Sequence, residues 1–201
     1  QFVSTATEWN LMQSGTILSN TSFKESNILS SYYARVNYKL MNRYLFTATV
    51  RRDGSSRFGG NNKWGTFPSG AIAWNIADES FMTDTKVSNL KLRIGFGITG
   101  NQALPNYLYL EQLGISGSSI YYLNGQAVPA VLPTNFANPD LQWEETAQSN
   151  IGVDFGFFDD RFSGSIDLYN KTTDNLLLSF STAAPSVVSS QWANVGGVTN
   201  K

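Results

Sequence analysis

The chain has 201 residues, with 14 basic against 15 acidic, and neither Cys nor His. The near-zero charge balance gives no polyanion-binding signal, so nucleic acid is not an expected partner. Without Cys there are no disulfides, thiolate metal sites or Cys nucleophiles, and without His the commonest general base and metal ligand is missing. Carboxylates are then the acid–base groups at hand, and neither an enzyme nor a cofactor is expected. Charged residues are 14% of the chain and aromatics 13%, where soluble domains carry roughly a quarter charged. No run reaches the ~20 apolar residues of a membrane helix, and Gln1–Asn10 lacks the pattern of a secretory signal.

The polar stretch Gln1–Phe23 reads as the end of a strand, a loop and the approach to the next strand. Period-two alternation then begins. Tyr32, Ala34, Val36 and Tyr38 oppose Tyr33, Arg35, Asn37 and Lys39. Leu40–Arg43 is a tight turn. Phe46, Ala48 and Val50 oppose Leu45, Thr47, Thr49 and Arg51, and Asp53–Asn62 is a polar, Gly-rich loop. Ile72, Trp74 and Ile76 oppose Ala71, Ala73 and Asn75. Ala77–Ser88 is a connection of intermediate length in which residues 78–82 can form one helical turn. Leu90–Thr99 alternates strictly, with Leu90, Leu92, Ile94, Phe96 and Ile98 against Lys91, Arg93, Gly95, Gly97 and Thr99. Gly100–Asp140 carries four prolines and reads as a long loop, external around Ser116–Pro139. Ile151, Val153, Phe155 and Phe157 form the next apolar face, Asp159–Arg161 a second tight turn, and Phe162, Gly164, Ile166 and Leu168 another face. Thr172–Ser190 reads as a further loop.

Short turns at one end and long loops at the other is the layout of an outer-membrane barrel. The strands match the ~9–11 residues that a tilted transmembrane strand needs. Tyr38 and Tyr44 flank one tight turn, and Phe157, Phe158 and Phe162 the other, where a membrane boundary favours aromatics. The core of a soluble β-sandwich would give the same pattern, so periodicity leaves both open.

Particular blocks are more specific. Tyr33-Ala34-Arg35-Val36-Asn37-Tyr38, Tyr44-Leu45 and Val50-Arg51-Arg52-Asp53-Gly54-Ser55-Ser56-Arg57-Phe58 are followed by Trp64-Gly65-Thr66-Phe67-Pro68-Ser69 and Ala73-Trp74-Asn75-Ile76. Then come Leu90 to Gln102, ending Thr99-Gly100-Asn101-Gln102, and Asn138-Pro139-Asp140-Leu141-Gln142-Trp143-Glu144-Glu145-Thr146. Asn150 to Phe158, Asp167 to Leu177 and Asn194-Val195-Gly196 complete the series. In this order the blocks resemble those of the SusC/RagA-type TonB-dependent outer-membrane transporters. The resemblance spans most of Tyr32–Gly197 and, unlike the alternation, separates the barrel from the sandwich.

The resemblance implies an all-β fold, an antiparallel transmembrane β-barrel of which this chain holds about eight strands of an about 22-stranded, plugged whole. Residues 1–201 would be part of one barrel domain, with the plug and N-terminal domains outside this stretch. It further implies import of oligosaccharides or peptides, in the bacterial outer membrane and in contact with its lipid. A SusD-like lipoprotein would act as a lid, TonB would act through the missing N-terminal region, and transporter–lipoprotein pairs could form a dimer. The alternative of another class is a soluble or surface-exposed β-rich carbohydrate-binding module.

In a barrel, Arg35, Arg51, Lys91 and Arg93 would belong to the lumen-facing wall, because charge facing lipid costs several kcal/mol. Asp53-Gly54-Ser55-Ser56-Arg57 reads as an ordered hairpin end rather than a phosphate loop, since no Lys and no helix follow. Trp143 beside Glu144-Glu145 suggests a sugar platform, but neighbouring strand residues point to opposite faces, so the two acids are not a glycosidase pair. Tyr107, Tyr121, Tyr122, Trp143 and Trp192 are the candidate cargo-contacting residues, with Tyr109 beside them. Asp159 and Asp160 read as solvated turn residues, and no metal ligands are expected.

Overall fold

The computed structural model describes residue 22 and residues 24–201. The strand end and loop expected at Gln1–Phe23 therefore lie, apart from Ser22, outside the described residues. Strands β1 (Leu29–Leu40), β2 (Tyr44–Ser55), β3 (Trp64–Asn75), β4 (Val87–Asn101), β7 (Glu144–Phe157), β8 (Phe162–Asp174) and β11 (Gly197–Asn200) form a seven-stranded antiparallel sheet in the order β1-β2-β3-β4-β7-β8-β11. Two hairpins stand apart from it, β5 (Gln112–Leu123) with β6 (Gln126–Asn135) and β9 (Leu177–Ser181) with β10 (Ser190–Asn194). Two 3-10 turns, Ile76–Asp78 and Ser80–Met82, occupy the β3–β4 connection.

The long connections are thus more ordered than the sequence suggests. Gly100–Asp140, expected to be loop, contains the β5–β6 hairpin, closed at Asn124 and Gly125, both at positive φ (53° and 79°). This is the backbone that an Asn-Gly two-residue hairpin favours. Pro129 and Pro133 obscured β6, yet in a two-stranded sheet every strand is an edge and tolerates a missing N–H. Thr172–Ser190 likewise holds the end of β8, all of β9 and the first residue of β10. At the other end Met41 and Asn42 take φ of 49° and 59°, and Arg43 N–H donates to Leu40 O at 3.0 Å.

Register places each face of the sheet without ambiguity. One row runs Tyr38–Phe46–Ile72–Ile94–Ile151–Leu168, and the next Leu40–Tyr44–Trp74–Leu92–Val153–Ile166. Nothing among the described residues covers these rows: in the first, Ile72 is 49% exposed, Ile94 48% and Leu168 68%, while Tyr44, Trp74, Leu92 and Val153 of the second are half-buried among their own neighbours. A sandwich would bury such a face against a second sheet about 10 Å away. The buried apolar side chains lie elsewhere, at the long-loop end, in a cluster of Phe58, Phe67, Leu104, Leu108, Leu141, Trp143 and Leu177. Trp143 packs on Phe58 at 5.1 Å between ring centroids and edge-on to Phe67 at 5.4 Å. The Phe67 ring occupies the space that a side chain at Gly65 or Gly100 would need.

Candidate functional site

The opposite face of the sheet is polar and carries the candidate site. Its rows run Arg35–Thr49–Ser69–Gly97–Gln148–Lys171, then Asn37–Thr47–Ala71–Gly95–Asn150–Tyr169, then Lys39–Leu45–Ala73–Arg93–Gly152–Asp167. Arg35, Arg51, Lys91 and Arg93 all lie on this face, because strand side chains alternate and their register partners share it.

Toward the short-turn end the face is held by an ion network across three strands. Arg93 on β4 makes a bidentate contact with Asp154 on β7, Nε to Oδ2 at 2.9 Å and Nη2 to Oδ1 at 2.8 Å. The same Nη2 reaches Asp167 on β8 at 3.0 Å. Gly152 lies between them, and a Cβ there would meet Arg93 Nη2 at 2.9 Å as well as the Asp167 carboxylate. The glycine therefore clears the path that lets one guanidinium tie two carboxylates. A lone exposed ion pair is worth about 0–1 kcal/mol, but a bidentate, three-membered network fixes geometry better. Lys91 stands opposite Asp154 in register.

Toward the loop end Arg51 Nε pairs with the buried Asp53 at 2.7 Å. Between these two charged zones lies a shallow trough of about 360 Å³, lined by Ser69, Ala71, Gly95 and Gly97 at its centre and by Arg35 and Lys171.

The short-turn end is clamped by Glu79, which separates the two 3-10 turns. Its carboxylate accepts from Arg43 Nη1 at 2.8 Å, Tyr44 Oη at 2.8 Å and Trp74 Nε1 at 3.0 Å. Hydrogen bonds from Trp74 and Tyr44, with the nearby Arg43 charge, hold Glu79 below the usual carboxylate range. The Tyr44 and Trp74 rings stack at 6.1 Å on the apolar face beside it.

At the loop end the sequence blocks turn out to lock one another. Arg57 donates to Asn106 Oδ1 at 3.1 Å and to Gln102 O at 3.0 Å. Ile28 and Ser56 exchange hydrogen bonds at 2.9 and 3.0 Å. Asn101 donates to Glu144 at 3.1 Å, and the other Glu144 oxygen accepts from Leu177 N–H at 3.1 Å. Asn194 accepts from Gln142 N–H at 2.9 Å and returns a bond to Gln142 O at 2.8 Å. Asp53–Arg57 is accordingly an ordered hairpin end, and Glu144 is engaged in holding backbone.

The five cargo-contact candidates are not brought together. Trp143 is buried at 6% exposure, with its Nε1–H donated to Lys63 O at 3.1 Å, so it is a core residue and not a platform. Trp192 is half-buried against the same cluster, as is Tyr109. Tyr107 sits at positive φ (65°) and uses its hydroxyl to tie Ser26, donating to its carbonyl at 3.0 Å. Tyr121 and Tyr122 are exposed on β5 and, being adjacent, point to opposite faces of the hairpin. Lys171, Asp154, Asp167 and Glu79 were not singled out in the sequence; the alternation that marked Arg93 also puts Asp154, Asp167 and Lys171 on its face.

Comparison with known proteins agrees with this architecture. Residues 2–201 match the family model described as TonB dependent receptor-like, beta-barrel. The TonB-dependent receptor SusC of Bacteroides thetaiotaomicron is 42% identical over 183 residues, 90% of this chain and 18% of the relative. TonB-dependent receptor P3 of Formosa agariphila is 39% identical over all of this chain and 20% of its own length. Among solved structures, the RagAB peptide transporter matches with a TM-score of 0.75 and 29% identity, over 86% of this chain and 18% of that one. The chain thus spans about a fifth of the length of the curated relatives it matches. With a family model matched over residues 2–201, a relative at 42% identity over 90% of the chain and a RagAB-like fold, the chain belongs to the TonB-dependent receptor-like β-barrel family, whose members are outer-membrane proteins.

Proposed function

We propose that the chain forms wall and outer rim of an outer-membrane transporter that imports oligosaccharides or peptides, energised by TonB and lidded by a SusD-like lipoprotein. The observation that carries this is the division of one sheet into two solvents. The rows through Ile94 and Leu92 are apolar from β1 to β8 and suit lipid, while the rows through Arg93 and Gly97 suit a wet or plug-filled lumen. Stacked Tyr44 and Trp74 lie at the short-turn boundary, where interfacial aromatics belong. On this reading the short turns are periplasmic, and the loop-end cluster and the β5–β6 hairpin stand on the outer side, where the lid would rest. The edges β1 and β11 would continue into neighbouring strands of the whole barrel, since lipid does not tolerate open sheet edges. TonB would act through a region outside this stretch, and two transporter–lipoprotein pairs could assemble as a dimer.

The similarity to the TonB-dependent receptor SusC supports the TonB-energised process, and the similarity to the RagAB peptide transporter supports peptide as one of the two cargo classes. The discriminating experiment deletes the full-length gene, or the gene of the proposed lipoprotein partner, in the native host. Growth is then followed on oligosaccharide and on peptide as sole nutrient. Loss of growth on one nutrient class in both deletions, repeated on loss of TonB, is the expected result. Undiminished growth on both classes would contradict the proposal. Family membership sets aside the soluble carbohydrate-binding module that composition alone allowed.

A further inference from the structure

Among the described residues, the strands of the seven-stranded sheet carry seven Lys and Arg side chains. Arg35, Lys39, Arg51, Lys91, Arg93 and Lys171 stand on the polar face, and Arg52 alone stands on the apolar one. Its surroundings are built for it. The indole of Trp64, the first residue of β3, covers Gly54, where an added Cβ would stand 2.8 Å from ring atoms Cδ2, Cε2 and Cε3. Arg52 precedes Gly54 by two residues on β2, so it shares that face, and its guanidinium carbon lies 5.5 Å from the Trp64 ring centroid. Tyr32, the register partner of Arg52, stacks on the same indole at 6.0 Å. Depth follows from β3, where Trp64 and Trp74 share the apolar face ten residues apart. At about 3.4 Å per residue and a tilt of roughly 40°, they are separated by about 26 Å along the membrane normal, against an apolar band about 25 Å tall. Tyr44 with Trp74, and Tyr32 with Trp64, thus stand at the two boundaries where interfacial aromatics belong. Between them the described residues of β1, β2 and β3 on this face are uncharged.

Resting on the two-solvent reading above, we infer that Arg52, seated on Trp64 and Tyr32, binds the phosphate of an anionic lipid headgroup in the outer leaflet. An Arg on a lipid-facing strand is strongly penalised at the bilayer midplane and hardly at all at the interface, so the depth of Arg52 fits the headgroup layer. The guanidinium keeps its charge over the indole, and its planar fork of N–H donors matches phosphate oxygens. The polar-face cations meet no lipid at any depth, whether or not they have ion-pair partners. On β7 and β8 the apolar face first becomes charged at Glu145 and Asp174. Three inter-strand steps of about 4.8 Å hold Glu145 about 14 Å from Arg52 along the sheet, beyond a Debye length of about 8 Å, so it does not displace a phosphate there.

The test uses the full-length transporter with a bimane fluorophore on Ser30→Cys as its one labelled position. Ser30 is the register partner of Gly54 and so lies beside the cluster on the same face. The protein is placed in phosphatidylcholine vesicles doped with either phosphatidylglycerol or phosphatidylcholine that carries a nitroxide near the top of its acyl chain. Quenching of the bimane reports how often each lipid occupies the position. Nitroxide-labelled phosphatidylglycerol is expected to quench at a roughly fivefold lower concentration than its phosphatidylcholine counterpart. That preference should weaken with added salt, survive in Arg52→Lys and in the polar-face control Lys39→Gln, and vanish in Arg52→Gln. Equal quenching by the two lipids in the unsubstituted barrel, or an undiminished preference in Arg52→Gln, overturns the inference. Failure of the two-solvent reading looks different: aqueous iodide would quench the bimane and neither lipid would.

Discussion

Ile94→Arg puts the two-solvent reading at most risk. Ile94 is central in β4, with seven strand residues before it (Val87–Arg93) and seven after (Gly95–Asn101). It lies in the apolar row between Ile72 and Ile151, half exposed, so the new side chain meets no packed core. Were this face in water, such a substitution would change stability by no more than about 0.5 kcal/mol. Facing the middle of a bilayer, Arg on a barrel strand costs about 2–4 kcal/mol. At about 3 kcal/mol the folded-to-unfolded ratio falls by roughly two powers of ten. The assay is urea titration of the full-length transporter in lipid vesicles, with the folded fraction read from the heat-modifiable band. Thr47→Arg, on the polar face of β2, is the matched control and is expected to cost less than about 1 kcal/mol. Equal effects for the two substitutions, or an Ile94→Arg effect within about 0.5 kcal/mol of zero, would refute the assignment of faces.

Other consequences follow from the packing. Gly152→Ala drives a methyl group into the Arg93–Asp167 contact and should cost about 1–3 kcal/mol in the same titration, most of it relieved in an Asp167→Ala background. Phe67→Ala empties the centre of the loop-end cluster; a loss of about 3–5 kcal/mol and protease cleavage within residues 100–110 are expected, while the strands remain protected. Glu79 has a folded-state pKa below its unfolded value. Its contribution is therefore complete above the usual carboxylate pKa and is lost as pH falls through the depressed folded one. Protection of the Leu40–Arg43 turn amides against hydrogen exchange, taken relative to the intrinsic exchange rate at each pH, should fall on acidification across that window, and Glu79→Gln should abolish this part of the pH dependence.

The sheet was legible in the sequence because each of its strands separates two environments, and period two records that separation residue by residue. Leu90–Thr99 shows it cleanly, and the side on which Arg93 stands follows directly. Its partners do not follow, since Asp154 and Asp167 are 61 and 74 residues away and only register brings them together. The β5–β6 hairpin was hidden by Pro129 and Pro133, which weaken any strand pattern but are harmless on an edge. Trp143 shows the opposite difficulty. Beside two acids it suggests a sugar platform, but Phe58 and Phe67, from distant segments, bury it. Loop aromatics are placed by such long-range packing, which local pattern does not encode. The motif blocks, by contrast, mark mutual locks: Asn101 with Glu144, Gln142 with Asn194, and Arg57 with Gln102.

The central claim is that one face of this sheet meets lipid and the other a lumen. A nitroxide scan of residues 45–50 in the full-length transporter in bilayers tests it most directly, by comparing relaxation from lipid-dissolved oxygen with that from a water-soluble nickel complex. The account predicts a period of two, with high oxygen and low nickel accessibility at Phe46, Ala48 and Val50 and low oxygen accessibility at Leu45, Thr47 and Thr49. Uniform nickel accessibility at all six positions, or the same alternation with the faces exchanged, would contradict it.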